Sequence, residues 1–204
     1  MQKLAQQLYQ ENKSSFDLLS NKRPVSGFET AVSSLFGQEA QPKKTVKLGG
    51  TEYNYSSRTG DRVRFLPAQW VEALEGNPAS WQGCENWWAG FPLIAWVEIN
   101  VVDGIRAQLK LNAELGPISD YQARTKLVQT LGLASSQRNL ERIQFPKSAM
   151  DKSSLYSQFF RRNTVPVRDF RDASEIERQF LKLIADFRRE FEMIASAIRE
   201  TTHS

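Results

Sequence analysis

Two β-rich runs, FPLIAWVEINVV and IRAQLKLNAELGP, flank Asp103-Gly104, and nothing else in the chain constrains the fold as tightly. Apolar and polar residues alternating at period two mark a strand with one face toward a core. An Asp-Gly pair between two such runs is the strongest local signal for a hairpin. The sequence therefore predicts a long antiparallel hairpin over about residues 91–115. Around it an α+β domain is expected, with an antiparallel sheet, flanking helices and a long amphipathic helix at the C-terminal end.

The flanking segments fit that frame. Leu4, Leu8, Phe16 and Leu19 place a first helix over Lys3–Leu19, stopped by Pro24, and a second helix is expected from Ser26 to Phe36. The next stretch, up to Asp61, is rich in Gly, Ser, Thr and charge and reads as a linker or a weak strand pair. It marks a boundary near residue 40, giving a helical segment over 1–38 and an α+β domain over 39–204, or one domain overall. Val63 and Phe65 begin a strand, and Pro67 opens a helix through Trp70, Val71 and Leu74. The stretch GNPASWQG reads as a loop. After Gly116-Pro117 a helix is capped by Ser119 or Asp120, packs through Tyr121, Leu127, Val128 and Leu131, and is ended or weakened at Gly132. ERIQFP and YSQFFRRNTVPV read as short or irregular β segments. The last helix carries one apolar seam, Ile176, Phe180, Leu183, Phe187, Phe191, Ile194 and Ile198, capped by Asp172 or Ser174. That seam must be buried against the sheet or against another chain.

Composition removes whole classes of chemistry. Cys84 is the one cysteine and His203 the one histidine among 204 residues. Disulfides, cysteine-cluster metal sites, serine- or cysteine-histidine catalysis and histidine-based zinc hydrolysis are set aside on that ground. No cofactor is expected, and Cys84 reads as a buried thiol. No apolar run approaches the roughly 20 residues that cross a bilayer, and the N-terminus lacks a secretory pattern. The expectation is a cytoplasmic protein with no membrane contact.

Three passages together carry a resemblance: LAQQLYQENKSSFDLLSNKRP, then RVRFLPAQW with the hairpin strands FPLIAWVEI and LKLNAELGP, then the helix bearing Arg124. They resemble the region that follows the nuclease core in bacterial and phage proteins of the PD-(D/E)XK nuclease superfamily, including defence-associated members. The catalytic signature of that superfamily, an acid on one strand and Glu-x-Lys or Gln-x-Lys on the next, is expected upstream of this chain. The resemblance thus implies an accessory, non-catalytic module, as a fragment of a longer nuclease or an independent protein.

Three groups of residues are candidates for function. Glu98, Gln108 and Lys110 give the hairpin a partial imitation of a Mg²⁺-dependent nuclease site, with Gln108-Leu109-Lys110 in the Gln-x-Lys form. Asp103 lies in the turn, however, and Glu114 stands about 13 Å along the strand from Lys110. Alternating polar residues on a half-solvated strand explain the same pattern without any function.

Second, all five tryptophans fall between Trp70 and Trp96. Core packing accounts for most of them, while Trp81, Trp87 and Trp88 are placed to stack on bases or anchor a partner. Third, Arg138 to Arg171 holds eight basic residues against three acidic ones, an excess larger than the whole chain's +4. Lys147, Lys152, Arg161, Arg162, Arg168 and Arg171, interleaved with Tyr156, Phe159 and Phe160, are the candidates for holding DNA or RNA. The plain alternative is a set of solvated charges. The leading expectation is a nucleic-acid-engaging accessory domain. The others are a protein-interaction or inhibitor module of phage–host conflict, docking through the C-terminal helix or the tryptophan loop, and a cryptic nuclease.

Overall fold

The computed structural model describes residues 27–76, 81–87 and 90–202. The helix expected at Lys3–Leu19, residues 77–80, Trp88 and His203 lie outside the described residues. Five strands form an antiparallel meander in chain order: β1 (Thr45–Leu48), β2 (Thr51–Thr59), β3 (Arg62–Pro67), β4 (Leu93–Val101) and β5 (Ala107–Leu115). Two short strands, β6 (Ser157–Gln158) and β7 (Thr164–Val167), both pair with the far side of β5 and complete a seven-stranded antiparallel sheet. The helices are α1 (Gly27–Phe36), α2 (Ala68–Glu75), α3 (Tyr121–Gln137), α4 (Ala173–Asp186) and α5 (Arg188–Thr202), with a 3₁₀ turn at Lys147–Met150. None of them is long and apolar enough to cross a membrane.

The predicted hairpin is the middle of this sheet, with nine residue pairs running from Leu93 opposite Leu115 to Val101 opposite Ala107. Its turn is wider than an Asp-Gly pair alone dictates. Val102 donates its N–H to the carbonyl of Arg106, and Gly104 does not adopt a positive φ. The Asp103 carboxylate makes the reversal instead, accepting the N–H groups of Ile105 and Arg106 and the Arg106 guanidinium. Those bonds hold its pKa down at about 2.

Alternation along β5 sends Ala107, Leu109, Leu111, Ala113 and Leu115 into the core, each 3% exposed or less. α4 packs on β5, β7 and α1, while α5 packs on α2 and α3. Between them lies a ring cluster in which Phe65 contacts Phe36, Tyr53 and Phe180 at 6.0, 5.3 and 6.3 Å. Trp70 is fully buried and donates its indole N–H to the carbonyl of Phe191. Phe28, Ala31, Val32 and Phe36 of α1 belong to this same core. The Gly-rich stretch after α1 forms the β1–β2 strand pair.

Three expectations change. The other face of the hairpin is not an open solvated surface, since Ile94, Trp96 and Asn112 on it are 0%, 7% and 3% exposed. α3 runs past Gly132 to Gln137, and Tyr121 in its first turn is exposed rather than packed. The C-terminal helical stretch is long, but it is interrupted at Phe187. There the N–H of Phe187 bonds three residues back to Ile184, and Arg142 from a distant loop caps the freed carbonyl of Asp186 at 2.7 Å. Across the break, α4 lies against β5, β7 and α1, and α5 lies against α2 and α3. All seven seam residues are buried within this chain, so the seam is not left over for another protein.

Gly27 sets the docking of α1. A Cβ there would lie 2.6 Å from the Arg171 carbonyl carbon and oxygen and 2.7 Å from the Phe170 oxygen, all backbone atoms. Gly27→Ala is expected to destabilise the chain by about 1–3 kcal/mol, read as a lowered urea midpoint with an unchanged slope.

Candidate nucleic-acid interface

The basic stretch is stapled to the edge of the sheet by the second ladder of β5. Gln158 lies opposite Glu114 and Ser157 opposite Leu115, and farther along Thr164–Val167 lies opposite Lys110–Ala107. Between these pairings Phe159 donates to Ala113 and Leu111 to Asn163, so the chain follows β5 from end to end. That is a run of about 26 Å at the usual rise of a strand. The six basic residues are strung along it. Lys147 and Lys152 sit near the Leu115 end, Arg161 and Arg162 midway, and Arg168 and Arg171 at the Ala107 end beside the hairpin turn, where Phe170 donates to Ile105.

Their side chains are committed to different degrees. Arg168 places its Nε 2.9 Å from the Glu175 carboxylate, which also accepts the backbone N–H groups of Arg168 and Asp169. The Arg171 guanidinium lies 4.9 Å over the Phe170 ring. Arg161 donates to the carbonyls of Phe160 and Gln158. Arg162 pairs with Glu141 at 2.6 Å, but both side chains are about 70% exposed, at 73% and 68%, and such pairs contribute little. Arg162 is largely exposed and stays open to an outside anion.

The fold adds partners to Arg162 that sequence distance concealed. An outer rung, with Arg161 donating to Arg142 and Gln144 to Phe159, brings the 139–144 loop alongside. Arg142, Arg162 and Arg189, at the start of α5, then line one open cleft of about 380 Å³ together with Asn139, Leu140, Glu141, Asp186 and Glu190. Arg142 holds the α4–α5 break, its guanidinium 4.7 Å over the Phe187 ring. The Arg189 side chain makes no hydrogen bond or ion pair among the described residues. Glu190 is 5% exposed, and its Oε2 has no hydrogen-bond partner among the described residues. Asn139 and Arg162 both adopt left-handed backbone, with φ of 53° and 50°. Asn tolerates that conformation, whereas for Arg it costs about 1–2 kcal/mol. Backbone strain of this kind concentrates at functional sites.

The remaining candidates are dispersed. Trp81 is buried and donates its indole N–H to Leu74, so its ring is closed to a base. Cys84 beside it is buried and donates its thiol to the Trp81 carbonyl. Burial, and then the Glu85 charge, push its pKa to about 11. Trp87 is half-buried, with its ring against Gly116. Glu98 lies opposite Lys110 in the ladder. Its oxygens are 3.6 Å from Arg62 and 3.9 Å from Lys110, and one accepts the Trp96 indole N–H at 3.0 Å. Gln108 lies two residues along, opposite Asn100. Among the described residues no three Asp, Glu, His or Cys side chains are grouped to hold a metal. A larger cleft, about 700 Å³, lies elsewhere, between α1 and the β2–β3 turn, and its Arg58 donates to Ser33 and Gln38.

Comparison with protein-family models, with curated proteins and with solved structures finds no match. Function must be argued from the residues. Arg189 was not among the sequence candidates, and the signal that could have found it is the Arg188-Arg189 doublet inside an otherwise amphipathic seam. Arg142 was counted in the basic stretch without being singled out.

Glu175 gives this edge a pH dependence. Burial alone would raise its pKa, but the Arg168 guanidinium and the two loop N–H groups outweigh it and hold the pKa below the ordinary value. A depressed folded-state pKa stabilises above the unfolded value and is lost as pH falls. Wild type is therefore expected to lose stability on acidification below about pH 5. Glu175→Gln is expected to be less stable at neutral pH and to show a flatter acid limb in urea titrations across that window.

Proposed function

We propose that this chain is a non-catalytic nucleic-acid-engaging domain that grips a sugar–phosphate backbone through Arg142, Arg162 and Arg189. The observation that carries this reading is the convergence of three arginines from three separate segments on one open cleft. Arginine presents a planar fork of donors that suits phosphate oxygens, and phosphate contacts dominate nucleic-acid affinity. Lys147, Lys152, Arg161 and Arg171 extend the basic line along the sheet edge. Arg168, tied to Glu175, acts chiefly on the loop that supports it. The resemblance to post-catalytic regions of PD-(D/E)XK proteins adds a context to the proposal: a domain that positions nucleic acid for a nuclease, in a defence-associated protein of bacterial or phage type.

A protein partner is the second reading. Its observation is the hairpin tip, where Val101, Val102 and Ile105 are 57%, 60% and 57% exposed. Such a tip accommodates an apolar partner surface and owes nothing to the arginine cleft.

Fluorescence anisotropy with labelled DNA and RNA, at two salt concentrations, separates the two. Arg162→Gln with Arg189→Gln is expected to weaken binding at least tenfold and to lower the salt slope by about 1.4–1.8, the contribution of two phosphate contacts. Lys182→Glu, an exposed charge change on α4, is the control and is expected to do much less. No binding to any nucleic acid at low salt, or equal losses in both variants, would overturn the reading.

A further inference from the structure

Beyond the arginine cleft, the same sheet edge carries a cluster of exposed rings that bears on which form of nucleic acid is held. Tyr156 is 54% exposed and Tyr121 37%, with Leu155 and Met150 beside them at 56% and 42%. The Tyr121 hydroxyl donates to the Met150 carbonyl at 2.7 Å. The Lys152 ammonium lies 5.6 Å over the Tyr121 ring. Trp87 stands 6.1 Å from Tyr156, tilted by 41°. Neither Lys147 nor Lys152 makes an ion pair with a described carboxylate.

The cluster is held rigidly from beneath. Arg124 is 3% exposed and donates to the Gly116 carbonyl, to Leu155 O at 3.2 Å and to Ser157 Oγ at 3.0 Å. It thereby bolts the start of α3 to the segment bearing Tyr156 and to the turn under Trp87. The Trp87 ring lies so close to Gly116 that a Cβ there would fall 2.4 Å from it. Exposed rings on a fixed support, with lysines at their margin, differ from a soft apolar surface that must reorganise to bind.

We infer that the domain holds single-stranded nucleic acid, with Tyr156 and Tyr121 stacking on unpaired bases and Lys152 and Lys147 meeting the adjacent phosphates. The inference rests on the nucleic-acid reading above and adds the class of ligand. In a duplex each base is paired and covered by its neighbours, so its face is closed to a protein ring. In a single strand the faces are open, and stacking on aromatic side chains tolerates any base. Tyr156 and Arg162 are six residues apart along the edge segment, at most about 20 Å. A strand of a few nucleotides can stack on the rings and place its backbone in the arginine cleft.

The test is anisotropy with a labelled oligo-dT of roughly 15 nucleotides, the same length of duplex, and an abasic strand. Wild type is expected to bind the oligo-dT at least tenfold tighter than the duplex or the abasic strand. Tyr156→Ala is expected to lose about five- to hundredfold on oligo-dT with an unchanged salt slope, because stacking releases no counterions. Tyr156→Phe keeps the ring and is expected to retain affinity. Circular dichroism of each variant checks that the fold is intact, as the exposure of Tyr156 leads one to expect. If duplex and oligo-dT bind equally, or Tyr156→Ala binds as wild type while the Arg162 and Arg189 variant is impaired, the single-strand inference fails and the phosphate-gripping reading stands. If nothing binds, both fail.

Discussion

β5 has neighbours on both sides, and most of this architecture depends on that. On one side β4 pairs with it over nine positions, and on the other the segment from Ser157 to Val167 follows it from end to end. Its odd-numbered residues form the floor of the core, and its backbone pairs with the segment that carries Arg161 and Arg162. A register slip of one position would turn the apolar set outward and would also displace each arginine on the edge. Core packing and the course of the edge segment are thus specified by the same strand.

The break at Phe187 has a comparable double role. A continuous helix would hold one direction, whereas the break lets α4 lie on β5 and β7 and α5 lie on α2 and α3. It also exposes the Asp186 carbonyl to Arg142 and starts a new helix at the pair Arg188 and Arg189. Arg188 turns back to the β1–β2 turn, donating to Gly49, and Arg189 lines the cleft. One interruption in a hydrogen-bond ladder produces both the wrapping of the core and the third arginine.

Period-two alternation and the apolar seam made the hairpin and the C-terminal helices legible in the sequence, because burial on one face imposes a local pattern. The turn was legible in place but not in form: Asp103 reverses the chain with its side chain rather than through a left-handed Gly104. The interruption at Phe187 was not legible, since the seam keeps its spacing through the break and the capping residue, Arg142, lies 44 residues away. The candidate site divides along the same line. Arg162 was visible as part of a local charge excess. Its grouping with Arg142 and Arg189 follows only from the outer rung at Ile143 and Phe160, a pairing no local pattern announces. Tyr121 shows the reverse error: helical spacing marked it as a packing residue, yet in the first turn of α3 it is 37% exposed, with its hydroxyl on the Met150 carbonyl.

Residue 162 is where the interests of the fold and of the surface diverge. Glycine would fit the left-handed backbone there without the steric penalty an arginine bears, so a more comfortable chain lies one substitution away. The comfort would be bought by giving up an exposed positive charge on the edge. A chain selected for stability alone would drift toward glycine at this bend.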